Sequence, residues 1–266
     1  EPYQIKRKFP DILVAVDANR RRGIRNLLAL PENECPEVLV LDDAFQHRYV
    51  TPTLNILLTD SHRLYTQDKL LPTGRLREPV DGARRANVII VTKCESCIQL
   101  IDFRIIEEDM HLSAYQELYF SQILYGELEP VFSGKAPRRT LKGLASTTEV
   151  LLVSGIASPA PLEKEIHKYT EHVTSLVFPD HHAFDRHDIK KIQMAFKRLT
   201  STSKLIITTE KDAARLRDLP SLPMEWLSHL YYLPITVGFC MDREKQFQEL
   251  IVKHINTRIK NHPILR

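Results

Sequence analysis

Short apolar runs alternate with longer polar or amphipathic stretches through the first half of the chain. These runs predict strands at residues 11–16, 37–41, 55–60 and 87–93. A helix with a very basic start is predicted between the first two runs, at residues 19–30. Alternation of strands and helices favours a parallel sheet with helices on both of its faces.

A second α/β pattern begins after a polar stretch at residues 134–148, which we predict to be a domain boundary or hinge. Strands are predicted at residues 149–155, 173–178 and 204–209, and helices at residues 161–169, 187–199 and 243–259. The last helix carries apolar residues at i, i+3, i+4 and i+8 from Phe247, a stripe that is typical of core packing. We therefore predict two domains, residues 1–140 and residues 141–266.

Composition narrows the class of protein only slightly. The 266 residues suffice for one large domain or two modest ones, and 43% hydrophobic with 27% charged residues is ordinary for a globular protein. The formal net charge of +3 is too small to argue for nucleic acid as a partner. No apolar run approaches the roughly 18 residues that a membrane-spanning helix needs, and no signal peptide is visible. We expect neither nucleic-acid binding nor a membrane-spanning segment.

The cysteines do not form a disulfide framework. Cys94 and Cys97 have C-x-x-C spacing, which is found in redox pairs and in half of a zinc site. No second C-x-x-C pair or pair of histidines follows to complete a tetrahedral shell. We therefore expect Cys35, Cys94, Cys97 and Cys240 to be ordinary thiols in a reducing compartment.

Two consecutive carboxylates, Asp42 and Asp43, follow directly after the predicted strand at residues 37–41. Open α/β folds bind ligands beyond the carboxyl ends of their strands, and phosphate-transferring enzymes use such an acid to hold Mg²⁺. A strand that ends in a polar turn also accounts for this pair, because aspartate is common in turns. The residues alone leave both interpretations open.

Further polar candidates lie close behind. Gln46 and His47 follow the two acids, and Arg77 and Glu78 end a proline-bounded segment at residues 70–79. Arginine makes planar, two-pronged contacts with phosphate oxygens, so Arg77 is a candidate phosphate ligand that Glu78 would orient. The structural alternatives are a histidine satisfied within the fold and an ion pair on the surface of a turn.

Two motifs in the second half also follow predicted strands. Asp180, His181 and His182 form the first, but no further zinc ligand is suitably spaced. Thr209 and Asp212 have the [ST]-x-x-[DE] spacing of a helix capping box, which favours a structural role at least as much as a catalytic one. The sequence Thr-Lys at residues 92–93 is only weakly similar to the base-reading motif of GTP-binding proteins, because position 95 is Glu.

Four ordered motifs together are far more specific than any one of them. They are Asp-Asp-Ala-Phe-Gln-His at 42–47, Leu-Leu-Pro-Thr-Gly-Arg-Leu-Arg-Glu-Pro at 70–79, Phe-Pro-Asp-His-His-Ala-Phe at 178–184 and Thr-Thr-Glu-Lys-Asp-Ala-Ala-Arg-Leu at 208–216. This set resembles the tetraacyldisaccharide 4'-kinases, the lipid A 4'-kinases. The resemblance implies a P-loop-NTPase-like, mostly parallel α/β sheet with a second, smaller α/β domain. It also implies ATP- and Mg²⁺-dependent phosphorylation of a lipid A disaccharide 1-phosphate at the cytoplasmic face of a Gram-negative inner membrane.

The resemblance assigns roles to individual residues. It implies a Walker B-like metal site at Asp42 and Asp43, with Glu1 as a further ligand. Contacts to the substrate or to the metal shell are implied for a larger group, namely Gln46, His47, Arg77, Glu78, Arg20 and Arg21. One histidine of residues 181–182 is implied to pair with the general base, and His181 is slightly preferred because Asp180 and His182 share a face of an extended segment.

One departure from the family pattern stands out. The chain contains no G-x-x-x-x-G-K-[ST] loop, and none of its eight glycines has that spacing. Glu1-Pro2 matches the end of the family's Gly-Asp-Glu-Pro motif, whose Asp is the expected base. We therefore expect an N-terminally truncated kinase that lacks the phosphate cradle and is inactive alone. The alternatives are a non-catalytic module that binds a phosphoglycolipid or a protein, and a P-loop GTPase relative, which the lack of Asp at position 95 disfavours.

Overall fold

A computed structural model describes residues 2–95, 99–180, 182–219 and 222–261, with side chains described through residue 256. Three residues that carry predictions, Glu1, Cys97 and His181, lie outside these ranges. In chain order the strands are β1 (Ile56–Asp60), β2 (Val88–Thr92), β3 (Glu117–Tyr125), β4 (Glu129–Pro130), β5 (Glu149–Ser154), β6 (Val173–Val177), β7 (Lys204–Thr209), β8 (Leu230–Leu233) and β9 (Ile235–Phe239). The α-helices are α1 (Pro2–Lys8), α2 (Arg20–Leu28), α3 (Leu100–Met110), α4 (Ala160–His167), α5 (Arg186–Arg198), α6 (Glu210–Arg217) and α7 (Glu244–Asn261).

The chain folds into two compact units. The unit that contains Asp42 comprises Phe9–Ile123 and the chain from Val237 onward, and we call it the acid unit. The unit that contains His182 comprises Tyr3–Lys8 and Leu124–Thr236, and we call it the histidine unit. The predicted division between residues 140 and 141 differs from these units, because the last helix belongs to the acid unit and β4 and its neighbours to the histidine unit.

The acid unit is built on a sheet of order β1-β2-β3-β9, in which β1, β2 and β3 run parallel. Strand β2 is a continuous apolar run buried on both faces, as expected for the interior of a parallel sheet. Ile89 packs on one face with Phe103 of α3, and Val88 packs on the other face with Leu250 of α7. The predicted apolar stripe of the last helix is therefore a core contact.

The histidine unit contains a five-stranded sheet of order β4-β8-β7-β5-β6, parallel except for the β4–β8 pair. Its central strands β5 and β7 are buried along almost their whole length. Helix α5 covers one face through Ile192 and Phe196, and α4 covers the other through Leu162 and Ile166. The predicted α/β class with mostly parallel sheets is confirmed.

The predicted strands at residues 11–16 and 37–41 are wrong. Both segments are irregular, and Val16 and Val40 are 79% and 91% exposed. A strand exists only when its backbone N–H and C=O groups pair with a neighbouring strand. Within the described ranges neither segment has such a partner, so its apolar, β-branched sequence does not form a ladder.

Several elements were not predicted from the sequence, namely α1, α3, β3, β4, β8 and β9. Across the described helices, none combines the length and the apolar character needed to cross a bilayer.

Candidate active site

Asp42 and Asp43 lie in a series of tight turns on the surface of the acid unit. The N–H of His47 donates to the carbonyl of Ala44 at 2.9 Å, and both aspartates are exposed. Asp43 has a φ of +46°, in the left-handed region that aspartate tolerates better than most residues. The acids therefore sit on a turn rather than at the end of a strand.

Arg77 reaches this turn from a distant part of the sequence. Its Nη1 lies 3.5 Å from Oδ2 of Asp43, and both side chains are largely exposed. Ion pairs of this kind contribute about 0–1 kcal/mol and exchange readily with other partners. Asp42 has no hydrogen-bond or ion-pair partner among the described residues, so its carboxylate is available to a ligand.

Glu78, the neighbour of Arg77, is the centre of a denser cluster. Arg85 donates to both of its carboxylate oxygens at 2.8 and 2.9 Å, and Arg48 donates at 2.9 Å. The amide of Gln46 adds a longer bond of 3.4 Å. The hydrogen bonds from Arg85 hold the pKa of Glu78 below its usual range, with a smaller contribution from Arg48 and with partial burial opposing them.

Arg85 also ties this cluster to the turn that carries the two acids. Its guanidinium lies 4.7 Å from the ring centroid of Phe45 and donates to the Phe45 carbonyl at 3.3 Å. The structure thus brings together the predicted residues Asp43, Gln46, Arg77 and Glu78. Arg48 and Arg85, which hold the arrangement, were not predicted. Their one signal in the sequence is that each is a cation close to a motif that was singled out.

The segment at residues 70–79 owes its shape to a tight loop. The N–H of Leu76 donates to the carbonyl of Lys69 at 3.0 Å, and the N–H of Gly74 donates to the carbonyl of Leu70 at 3.0 Å. A Cβ at Gly74 would lie only 2.0 Å from the Lys69 carbonyl oxygen, so only glycine fits there. The loop therefore fixes the chain just before Arg77, which reaches Asp43, and Glu78, which binds Arg85 and Arg48.

A second polar group of the acid unit lies at the carboxyl ends of β1 and β2. Lys93 donates to Asp60 at 2.6 Å. Nδ1 of the His62 ring lies 3.1 Å from Oδ1 of the same carboxylate, and the backbone N–H of His62 donates to that oxygen at 3.0 Å. Partial burial would raise the pKa of Asp60, but the hydrogen bonds from Lys93 and His62 bring it below its usual range. Lys93 therefore pairs with an acid from the neighbouring strand.

Arg20 and Arg21 lie at the start of α2, which Asn19 caps. Arg20 donates to the carbonyl of Asp17, and Arg22 forms a two-pronged pair with the Asp17 carboxylate at 2.7 and 2.8 Å. This pairing lowers the pKa of Asp17 to about 2. None of the hydrogen bonds among described residues joins Arg20 or Arg21 to Asp42, Asp43 or the Glu78 cluster, and their role stays a prediction.

His182 is the described member of the histidine motif. Its Nε2 lies 2.7 Å from Oδ2 of Asp188, and its ring stacks on Phe178 and meets Phe184 edge-on, at centroid distances of 4.9 and 5.3 Å. Asp188 is 9% exposed. Burial would raise the pKa of Asp188, but the hydrogen bonds from His182 and from the N–H of Asp185 lower it.

The Thr209–Asp212 motif has a structural role in the histidine unit. The Thr209 hydroxyl caps α6 by accepting the N–H of Asp212 at 3.1 Å, as its spacing indicated. The fully buried carboxylate of Asp212 accepts the N–H of Gly155 at 2.8 Å and a bond from Arg215 at 2.9 Å. Lys211 lies 3.8 Å from Asp180, so this motif also contacts the first residue of the Asp-His-His motif.

The described ranges contain three cysteines, of which Cys35 is the most accessible. Cys94 and Cys240 are buried, and burial raises the pKa of Cys94 to about 12. Across the same ranges, no group of three or more His, Cys, Asp or Glu side chains is arranged to hold a metal ion. Magnesium commonly takes only one or two protein carboxylates and completes its shell with waters and phosphate oxygens, and the exposed acids at residues 42–43 fit that mode.

A solved structure defines the class to which this fold belongs. The chain resembles LpxK of Aquifex aeolicus, crystallised in an "apo" form in complex with ATP, with a TM-score of 0.63 over 96% of this chain and 68% of that one. At 22% sequence identity the likeness shows the fold. The chain therefore has the α/β fold of that structure.

Sequence comparisons define the particular family. The tetraacyldisaccharide-1-P 4'-kinase family matches residues 1–256. A tetraacyldisaccharide 4'-kinase of Parabacteroides distasonis is 92% identical over all 266 residues, which span 72% of that protein. The corresponding enzyme of Bacteroides thetaiotaomicron is 46% identical over 98% of this chain and 70% of its own length. The chain belongs to the tetraacyldisaccharide 4'-kinase family.

Proposed function

We propose that this chain phosphorylates the 4'-hydroxyl of tetraacyldisaccharide 1-phosphate with ATP, the step of lipid A biosynthesis that forms lipid IVA. The observation that carries the proposal is the contact between Arg77 and Asp43 beside the Glu78 cluster. It groups two carboxylates with an exposed guanidinium on one surface of the acid unit. Phosphoryl transfer needs both kinds of group, since acids hold the metal and cations stabilise the charge on the transferred phosphate.

Arg77 is the proposed phosphate contact. Its pair with Asp43 is long and water-exposed, so a phosphate oxygen can replace the carboxylate at little cost. Glu78 does not compete for Arg77, because its oxygens already accept bonds from Arg85 and Arg48. Arg77 is therefore able to change its partner when a ligand binds, whereas Glu78 holds the neighbouring side chains in place.

Asp42 and Asp43 are the proposed holders of Mg²⁺, and Glu1 is a further candidate from outside the described residues. When bound, the ion would supply positive charge that offsets the negative charge of the ATP phosphates during transfer. Asp42 is the stronger candidate of the described pair, because Asp43 already faces a guanidinium. Gln46, His47, Arg20 and Arg21 are proposed to contact the substrate.

The histidine motif is proposed to handle the proton of the acceptor hydroxyl. An imidazole with one nitrogen bound to a carboxylate offers its other nitrogen for proton transfer, and His182 has that arrangement with Asp188. His181, which the family resemblance slightly favoured, lies outside the described residues. We further propose that the protein acts at the cytoplasmic face of the inner membrane, since its lipid substrate is anchored there.

The experiment measures ATP-dependent phosphate transfer to tetraacyldisaccharide 1-phosphate by a version extended to the length of its relatives. Asp42→Ala is expected to lower turnover by roughly a thousandfold or more, because the metal site is lost. Asp218→Ala removes an exposed aspartate from the histidine unit and serves as the matched control.

Two results would contradict the proposal. Unchanged turnover in Asp42→Ala would remove the metal-site assignment. Tight binding of the phosphoglycolipid without any transfer by the extended protein would favour the non-catalytic binding module instead.

A further inference from the structure

The imidazole of His182 is held from three directions inside the histidine unit. Asp188 binds its Nε2, Phe178 stacks on its ring at an interplanar angle of 22°, and Phe184 meets it at 88°. On the backbone side, a Cβ at Gly155 would lie 3.4 Å from Cβ of His182, so the loop packs closely on Gly155. The ring is therefore fixed in one orientation.

The surroundings of Asp188 decide which ring nitrogen carries the proton. One oxygen, Oδ2, accepts the N–H of Asp185 at 3.0 Å and faces Nε2 of His182 at 2.7 Å. The hydrogen bonds that lower the pKa of Asp188 keep it ionised at neutral pH. An ionised carboxylate can only accept hydrogen bonds, so Nε2 must be the donor. The lone pair of the neutral ring then lies on Nδ1.

We infer that Asp188 is a positioning residue that fixes His182 with its Nε2–H bound and its Nδ1 free to accept a proton. The inference deepens the proposed function and rests on it for the source of that proton. In the transfer, the O–H bond of the acceptor hydroxyl breaks as that oxygen bonds to the γ-phosphorus of ATP. The bond between the γ-phosphorus and the leaving ADP oxygen breaks at the same centre. The released proton passes to Nδ1, directly or through a carboxylate base, and Asp188 balances the charge of the imidazolium.

A purely structural role for Asp188 needs its own control. Asp188 is the third helical residue of a capping box at the start of α5, so its removal also weakens that helix. Asp102 occupies the same position in the capping box of α3 and accepts the N–H of Gln99 at 2.9 Å. Within the described residues no histidine contacts the Asp102 carboxylate. Asp102→Ala therefore removes the same kind of cap without touching a histidine.

The first test uses this chain without substrate. Ring nitrogens of histidine are labelled with ¹⁵N, His182 is assigned by its loss in His182→Gln, and folding of each variant is checked by circular dichroism. We expect a slowly exchanging ring proton on Nε2 of His182. Asp188→Ala should speed its exchange with solvent by about tenfold or more, because the bond that protects it is gone. Asp102→Ala should leave the signal unchanged, and a proton on Nδ1 or an unchanged signal in Asp188→Ala would overturn the inference.

The second test measures turnover in the version extended to the length of its relatives. Asp188→Ala is expected to lower kcat by roughly 10- to 100-fold, because a misplaced ring loses orientation, while KM for ATP changes by less than about twofold. Asp188→Asn, which keeps an acceptor oxygen, should recover part of the loss. An unchanged kcat in Asp188→Ala would overturn the positioning role even if Asp42→Ala is inactive. Failure of the kinase proposal itself would appear as a lack of phosphate transfer by the extended wild-type protein, and it would leave the ¹⁵N result standing.

Discussion

In the acid unit, Arg77 and Asp43 lie 3.5 Å apart with 63% and 74% of their side chains exposed. In the histidine unit, His182 and Asp188 lie 2.7 Å apart with 25% and 12% exposed. Water screens the first pair, so it is weak and its partners can change. The second pair is shielded and also bonded to a helix start, so its geometry is fixed. The comparison indicates a surface prepared to receive a charged ligand and a separate ring prepared to hold one orientation.

Glu78 is an intermediate case within the acid unit. Its side chain is 15% exposed, and two arginines with one amide satisfy its oxygens. The cluster supports the exposed Arg77–Asp43 pair without taking part in it. We infer that a rigid support beneath an exchangeable contact is what lets this surface keep its shape when a ligand replaces one partner.

The largest expected effect on stability comes from a buried carboxylate of the histidine unit. Asp212→Ala removes a fully buried carboxylate and leaves Gly155 N–H and Arg215 without their acceptor, which should cost about 3 kcal/mol of the free energy of unfolding. The chain has a single tryptophan, and Trp226 is buried in the histidine unit. Its fluorescence during urea unfolding reports this change. Asp218→Ala, at an exposed position after the same helix, should stay within about 0.5 kcal/mol. Equal effects would show that burial does not set the difference.

Glu78→Gln is expected to have the next largest effect on stability. The amide offers one acceptor oxygen where Arg85 and Arg48 use two, so the acid unit should lose about 1–2 kcal/mol. Hydrogen exchange of the β2 amides measures the change inside that unit. Glu108→Gln on the exposed face of α3 is the control, and matching exchange rates in the two variants would contradict the supporting role of Glu78.

Acid should weaken the Glu78 cluster in a defined pH range. The pKa of Glu78 is lowered from its ordinary value of 4.5, so the unfolded chain binds the proton at a higher pH than the folded chain. The contribution of Glu78 is therefore complete above pH 4.5 and is lost as the pH falls through the folded-state pKa. The difference in stability between the wild type and Glu78→Gln, measured by urea unfolding at several pH values, should narrow below pH 4.5. A constant difference would contradict this linkage.

The smallest expected effect belongs to the exposed pair. Asp43→Asn keeps a residue that tolerates the left-handed backbone at this turn and removes only the charge that faces Arg77. The free energy of unfolding should change by less than about 0.5 kcal/mol. A loss greater than about 1 kcal/mol would show that the pair is structural, and the proposed exchange of Arg77 to phosphate would then lose its basis.

Sequence pattern located most strands that lie inside the two sheets. Strands β2, β5 and β7 are short apolar runs whose side chains are buried, so the apolar composition of each run correctly predicted a buried strand. The same signal failed at residues 37–41, where the apolar run has no neighbour to pair with in the described structure. The pattern of one segment cannot say whether a second segment will lie beside it.

The candidate site likewise contains some residues that the sequence predicted and others that it did not. Asp43, Gln46, Arg77 and Glu78 were singled out by motif, and the structure brings them into contact. Arg48 and Arg85 were missed, although they make the strongest bonds of the cluster. Arg85 lies 40 residues from the Phe45 carbonyl it binds. No local periodicity records a contact over that distance.

Sequence by itself determined the family, the α/β class and the candidate residues for binding phosphate, a metal or a proton, because these depend on residue type and on spacing within short segments. Tertiary structure decided which charges are paired and which are left to a ligand. Asp42 and Asp188 are the same residue type, yet one is exposed on a turn and the other is enclosed by a histidine and a helix start. Burial and the direction of neighbouring donors depend on how distant segments pack together, and this packing separates an available carboxylate from a fixed one.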